Sequence, residues 1–150
     1  MINIGIVGSE AAKFTPETEL IAREGIRNLL DRYDRVISGA CHLGGIDIWA
    51  VEEAIKKNIP YIEYPPHVRN WEGYKRRNIQ IAETSNVVVC ITIKELPPGY
   101  RVKGFEKYCY HCKTDQHIKS GGCWTTKYAR SLGKNAFTAV IADGKIILAV

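Results

Sequence analysis

The chain has 150 residues, 45% of them hydrophobic and 25% charged, with a formal net charge of +5. That composition is an ordinary globule's, and the length predicts one domain over residues 1–150. The longest purely apolar run, Val87 to Ile91, is far too short to span a bilayer, and no leader precedes the first strand pattern, so no membrane role is expected. The basic balance favours anionic partners: nucleotides, nucleic acid or phosphorylated metabolites. Five cysteines, an odd number, fit a cytoplasmic chain with reduced thiols or a metal site better than a disulfide framework.

Ile2 to Val7 is a short β-branched apolar run ending at Gly8-Ser9, which predicts a buried parallel strand and a tight turn. Thr15 is a good N-cap and Pro16 suits the first helical position; Ala22, Ile26, Leu29, Leu30 and Tyr33 then recur at helical spacing. Val36-Ile37 predicts a second strand, running into a loop from Ser38 to Asp47. A second helix is expected to about Lys57, with Glu52/Lys56 and Glu53/Lys57 as solvent-facing pairs. Pro60 to Tyr64 is the third strand, and Trp71 to Glu83 the third helix. Asn86 to Ile93 is the most strand-like stretch and is expected at the centre of the sheet. A Cys-rich insert at about 94–119 breaks the alternation. A fourth helix to Leu132 and a fifth strand, Ala136 to Ala142, follow it. Asp143-Gly144 signals a hairpin that returns Lys145 to Val150 as an antiparallel edge. The regular alternation predicts an α/β fold: a doubly wound parallel sheet with a C-terminal antiparallel edge hairpin.

Before the fourth helix stands Ser120-Gly121-Gly122-Cys123-Trp124-Thr125-Thr126. Adjacent glycines permit a tight turn, and the first helical N–H groups lack intrahelical partners, so such a start is suited to an anion. An ordinary glycine turn capping a helix has the same sequence. Ligands of doubly wound sheets bind beyond the carboxyl ends of the strands, where Gly8-Ser9, the Ser38–Asp47 loop and Ser120–Thr125 are all predicted to lie.

Cys109 and Cys112 are separated by two residues, with His117 and Cys123 following. Two thiolates from one turn, an imidazole and a third thiolate can close a tetrahedron around zinc. His111 is an alternative fourth ligand, but it adjoins Cys112 too closely for both to bind. A reduced pair in a surface loop and a redox dithiol remain open; an insert of this length in a compact domain favours the metal. Cys41 and Cys90 are expected as small buried hydrophobes. The insert carries six basic side chains against three acidic ones, interleaved with Tyr100, Phe105, Tyr108 and Tyr110. These could stack on bases and neutralise phosphates, or simply pack down on the sheet. Trp71 and Tyr74 are expected in the core, and Lys75 and Arg76 in solvent.

Taken together, Ile-Val-Gly-Ser at the first strand, Ser-Gly-Ala and Gly-Gly-Ile-Asp after the second, Arg-Asn on the third helix and Ser-Gly-Gly before the fourth form an ordered set. It resembles the Rossmann-like superfamily of cytokinin-riboside monophosphate hydrolases (lysine-decarboxylase-like), molybdenum-cofactor carrier proteins and the DNA-processing protein core domain. The resemblance implies that Gly8 and Ser9 approach a phosphate or ribose. It further implies that Gly39, Gly44 and Gly45 shape the second loop, that Asp47 opens its helix, and that Arg77 faces the ligand. Gly121, Gly122, Thr125 and Thr126 would hold the phosphate, and a homodimer or higher homo-oligomer is implied. The hydrolases carry a catalytic glutamate where this chain has Tyr128, which cannot serve as a carboxylate acid or base. The expected function is binding of a nucleoside phosphate or a related phosphorylated cofactor, with no catalytic residue assigned. A phosphoribohydrolase acting on nucleoside monophosphates and a single-stranded nucleic-acid binder using the insert are the alternatives.

Overall fold

The computed structural model describes residues 1–149. Val150, the last residue of the expected hairpin, lies outside them. Six strands form one sheet: β1 (Asn3–Gly8), β2 (Arg35–Ser38), β3 (Tyr61–Glu63), β4 (Val87–Ile93), β5 (Asn135–Ala142) and β6 (Lys145–Ala149). Their order is β3-β2-β1-β4-β5-β6; the first five are parallel and β6 is antiparallel to β5. The chain leaves the centre in one direction through β2 and β3, then returns to β4, so strand order switches between β1 and β4. Asp143 and Gly144 both have positive φ, the conformation of the tight hairpin their sequence signals.

Alternation along the strands sorts the core into two layers. Ile4, Ile6, Val89, Ile91 and Ile93 face α1 (Pro16–Leu30) and α2 (Ile46–Lys56). Val7, Val88 and Cys90 face α3 (Trp71–Thr84) and α4 (Gly122–Ser131). Both faces are covered, which is why β1 and β4 read as continuous apolar runs. α1 begins as its sequence predicts: Thr15 caps it, Thr18 completes a reciprocal capping box, and Pro16 fills the first turn.

Neither expected surface pair forms: Glu52 turns to Arg23 and Lys56 to Glu53. Glu53 does not pair with Lys57 in solvent; its side chain is 1% exposed and accepts from Arg23 at 2.8 Å, Arg27 at 3.1 Å and Lys56 at 3.3 Å. Arg23 also binds Glu19 and Glu52, both at 2.8–2.9 Å, and Lys57 turns instead to Asp31. The helical spacing of charge is real, but α1 packs beside α2 and supplies stronger cations than the neighbouring turn. Burial alone would push the Glu53 carboxyl up, but hydrogen bonds from the three cations outweigh it and hold the group below its ordinary value.

A depressed carboxyl contributes stability above its unfolded pKa and loses it as pH falls through the folded one. Glu53→Gln is therefore expected to lower unfolding free energy by about 2 kcal/mol at pH 7. The difference between variant and parent should shrink below about pH 4 in urea titrations.

Candidate functional site

A cavity of about 350 Å³ opens beyond the carboxyl ends of β1 and β4, where the strand order switches. Its floor is the start of α4. Gly122 is tightly packed there: a Cβ would lie 2.8 Å from Cys90 Sγ, 2.9 Å from Val7 Cγ2 and 3.1 Å from the Gly8 nitrogen. Only a glycine lets α4 begin so close to both central strands. Gly121, one residue earlier, has open space where its Cβ would be.

Gly8, Ser9, Asp47, Arg77, Gly121, Gly122 and Thr125 all line this cavity. The remaining candidates lie behind it. The Gly39 carbonyl accepts a hydrogen bond from Arg77 Nη1, and its missing side chain leaves room for Arg77 beside Asp47. Gly44 and Gly45 turn the chain into α2, where Gly45 takes φ of +85° with Ser9's carbonyl 2.3 Å from its would-be Cβ. Thr126 is fully buried and its hydroxyl donates to the Cys123 carbonyl at 2.9 Å.

The N–H groups at the start of α4 are less free than the glycine pair suggests. Gly122 N–H donates to Ser120 Oγ at 3.1 Å, Cys123 N–H to the Ser120 carbonyl at 3.0 Å and Trp124 N–H to the Gly121 carbonyl at 3.1 Å. Side chains carry the unmet polarity instead. Arg77 Nε and Thr125 Oγ1 are buried without a hydrogen-bond partner, and both residues line the cavity. Native interiors rarely leave such groups unpaired, so a ligand or water is expected there.

Ionisable groups face each other across the space. Arg77 Nη1 lies 3.8 Å from Asp47 Oδ2. Burial pushes the Asp47 carboxyl up to about 6, and Arg77 opposes this without cancelling it. Lys13 also lines the cavity, 3.9 Å from Glu10. Burial draws its ammonium down, Glu10 opposes that, and Lys119 adds to it. The Lys13 ammonium also sits 4.6 Å from the Phe105 ring centroid.

Ser120 lines the cavity as expected, whereas Lys13 and Trp71 are not sequence candidates for the site. Lys13 sits in a 3₁₀ turn, Ala11–Lys13, that has no periodic pattern to mark it. Trp71 is not a core residue: it is 53% exposed at the cavity, edge-on to Trp124 at 5.6 Å. Cys41 is likewise half-exposed and lines the cavity, while Cys90 is buried as expected. Tyr74 is half-buried beneath the Arg77 guanidinium, and Lys75 and Arg76 are in solvent.

Cys109, Cys112, His117 and Cys123 converge, their ligand atoms within 4.8 Å of one another. A tetrahedral zinc site with Zn–S bonds of about 2.3 Å has edges of about 3.8 Å, so a small contraction closes the set and the cluster could hold a metal ion. Cys109 and Thr114 exchange backbone hydrogen bonds at 2.9 and 3.2 Å, a tight turn that presents both insert thiols. His117 Nδ1 lies 3.1 Å from the Ile118 carbonyl, which can only accept, so Nδ1 bears the proton in that contact and Nε2 the lone pair. His111 lies outside the cluster, against Tyr110. Burial, then the crowding of Cys123 and Cys109, pushes the Cys112 thiol up to about 12. No residue of 94–119 lines the cavity, although Phe105 of the insert packs against Lys13, which does.

No protein-family model matches the chain, and no curated protein sequence does. Several solved structures share the architecture. DNA processing protein A from Streptococcus pneumoniae superposes with a TM-score of 0.59 at 15% identity, over 95% of this chain and 52% of that one. The chain has a Rossmann-like fold. The molybdenum cofactor carrier protein from Chlamydomonas reinhardtii superposes at 0.54 and 16% identity, over 91% of this chain and 75% of that one. This Rossmann-like chain thus spans about half the length of the bacterial protein. Among its described residues no helix is long and apolar enough to cross a membrane.

Two outcomes test this geometry. Gly122→Ala should cost about 1–3 kcal/mol of stability by overpacking, while Gly121→Ala leaves the urea midpoint unchanged. A carboxyl raised by folding costs stability once pH passes its unfolded pKa, and the full cost is present above its folded value of about 6. Asp47→Asn should therefore stabilise the protein at pH 7.5 by on the order of 2 kcal/mol, with the gain vanishing below pH 4.

Proposed function

We propose that the cavity binds a nucleoside phosphate or a related phosphorylated cofactor, its anionic end at the start of α4. The observation that carries this is the pair of orphaned donors, Arg77 Nε and Thr125 Oγ1, on residues that line one cavity together with Lys13. Phosphate oxygens accept from all three, and the positive end of the α4 dipole adds to the attraction. Glu10 and Asp47 supply acceptors for hydroxyl groups, as a ribose requires. Exposed Trp71 offers a flat ring at the mouth for a base. The volume stands at the lower end of small-molecule sites, about 300–1,000 Å³, which suits a mononucleotide better than a dinucleotide.

Binding is favoured over hydrolysis. Tyr128, at the position of the hydrolase glutamate, stacks on Trp124 at 5.3 Å and does not line the cavity. One structural neighbour, the molybdenum cofactor carrier protein, carries a cofactor, which accords with a role in holding a ligand. The Cys₃His cluster would hold zinc, whose preference for thiolate and imidazole in a closed tetrahedron matches the donor set. A second reading, single-stranded nucleic-acid binding, is favoured by Tyr110, which is 57% exposed with the Lys119 ammonium 5.3 Å from its ring centroid.

Thr125→Val separates binding from stability. Removing an orphaned hydroxyl should leave the protein as stable or about 1 kcal/mol more stable. It should weaken AMP binding about tenfold by calorimetry, because a phosphate partner is gone. Unchanged affinity would sink the assignment. Protein purified without chelator should carry one zinc per chain, and its absence on metal analysis removes the zinc. A gel shift with single-stranded RNA that persists undiminished after Lys103 and Lys107 are replaced would count against the insert as its carrier.

A further inference from the structure

The metal cluster and the cavity are joined by short, buried connections. Cys123 adjoins Gly122, the glycine wedged between β1 and β4 that lines the cavity. Behind that wedge the Cys90 thiol lies 3.9 Å from Cys123 Sγ and 3.7 Å from Ser120 Oγ. Ser120 Oγ in turn accepts from Gly122 N–H at 3.1 Å. His117 stands on the other side of the same loop. Its neighbour Ile118 donates its N–H to the Ile93 carbonyl at 2.8 Å, and the Ile118 carbonyl accepts from Thr92 Oγ1 at 3.1 Å. Thr92 has spent its one hydroxyl proton, so the Ser9 hydroxyl is the donor in the 2.8 Å contact between them. Ser9 is on the cavity wall.

His117 and Cys123 therefore bracket Ser120-Gly121-Gly122. One ligand is tied through Thr92 to the loop after β1, the other through Cys90 and Ser120 to the turn that opens α4. Apart from these contacts Gly121 has little to fix it: it is exposed, with open space where a Cβ would be, between the buried Ser120 and the wedged Gly122. We propose that metal held by Cys109, Cys112, His117 and Cys123 sets the conformation of Ser120-Gly121-Gly122, so that metal occupancy controls affinity at the cavity. The coupling rests on the cavity being the ligand site proposed above. A divalent ion shortens the distance between the insert thiols and Cys123, which fixes the first turn of α4 and hence the place of Thr125. Stripped of metal, the turn at Gly121 regains freedom, and a ligand must supply the ordering free energy itself. Linkage makes the effect reciprocal: a ligand favoured by the metal-bound loop must tighten metal binding by the same factor.

The test uses the full chain, zinc-loaded and chelator-stripped, with Cys112→Ser as a second route because Cys112 lies outside the cavity and is half-exposed. Hydrogen exchange reports the loop, AMP calorimetry the cavity, and the visible spectrum of the cobalt-substituted protein the tetrahedral thiolate site. Expected results are exchange at 120–126 about tenfold faster in both metal-depleted forms, with β1 and β4 still protected. AMP affinity should fall about tenfold and return when zinc is restored to the stripped parent chain. Zinc that binds while exchange at 120–126 and AMP affinity stay unchanged overturns the coupling and leaves the ligand site standing. Exchange accelerated throughout the sheet makes the metal a general staple and also overturns it. Failure to take up zinc or cobalt removes the metal. If AMP binds neither form, the ligand reading fails, and the exchange pattern alone decides whether metal sets the loop.

Discussion

The structure depends on one close approach. α4 starts where a single added carbon at Gly122 would strike Cys90, Val7 and the backbone of Gly8 together. Interiors are packed too densely to absorb that overlap cheaply. The approach brings the first turn of α4 against both central strands at the point where the strand order switches. It places Thr125 on the cavity, and it puts Cys123 beside the insert on the α3–α4 face. Cavity and Cys₃His cluster are thus two consequences of one steric constraint, reached from opposite sides of the same two residues.

The fold was legible because its signals are local and repeated. Thr15-Pro16, the apolar runs of β1 and β4, and Asp143-Gly144 each act within a few residues, and the alternation between them fixes the parallel sheet. The site was legible in part for the same reason: Gly8, Gly121 and Gly122 mark turns at strand ends and helix starts. Glu53 was misplaced because helix periodicity shows only its own neighbours, while its partners Arg23 and Arg27 lie about thirty residues away on α1. Trp71 was misplaced because aromatic residues on a helix are usually core, and only the tertiary position of α3 beside α4 leaves it at the cavity mouth. Lys13 had no signal at all; one lysine among many acquires meaning only when a 3₁₀ turn buries it beside Glu10.

Two buried carboxylates on α2 show opposite design. Glu53 is surrounded by cations and stabilises the packing of α1 on α2. Asp47, at the start of the same helix, has a single cation at 3.8 Å, and its burial is under-compensated. The helix dipole favours an acid at that end, but not enough to restore an ordinary carboxyl. Strained polarity of this kind concentrates at functional sites, where a ligand completes what the protein leaves unpaired. The same holds for Arg77 Nε and Thr125 Oγ1. The cavity holds acidic and basic groups in equal number, Glu10 and Asp47 against Lys13 and Arg77, so the molecule's net charge does not describe it. It fits a ligand with both an anionic end and hydrogen-bond donors better than a bare anion.

The insert between β4 and α4 carries little regular structure, and loops that long inside compact domains need anchors. Apolar contacts supply some: Ile118 is buried in the α1–α2 core layer, and Leu96 and Phe105 pack against it. Cys109 is buried in the other layer, with Cys112 against it. The insert therefore passes around the end of the sheet and touches both cores, with its thiols on the α4 side. Hydrophobic anchoring alone does not explain four soft donor groups brought within 4.8 Å, since crowded thiols gain little by packing and each makes its neighbour harder to ionise. Three cysteines and one histidine meet at one point, two from a tight turn and one from the helix that floors the cavity, and the set could hold a metal ion. The apolar contacts position the segment, and the sulfur cluster ties that position to the start of α4.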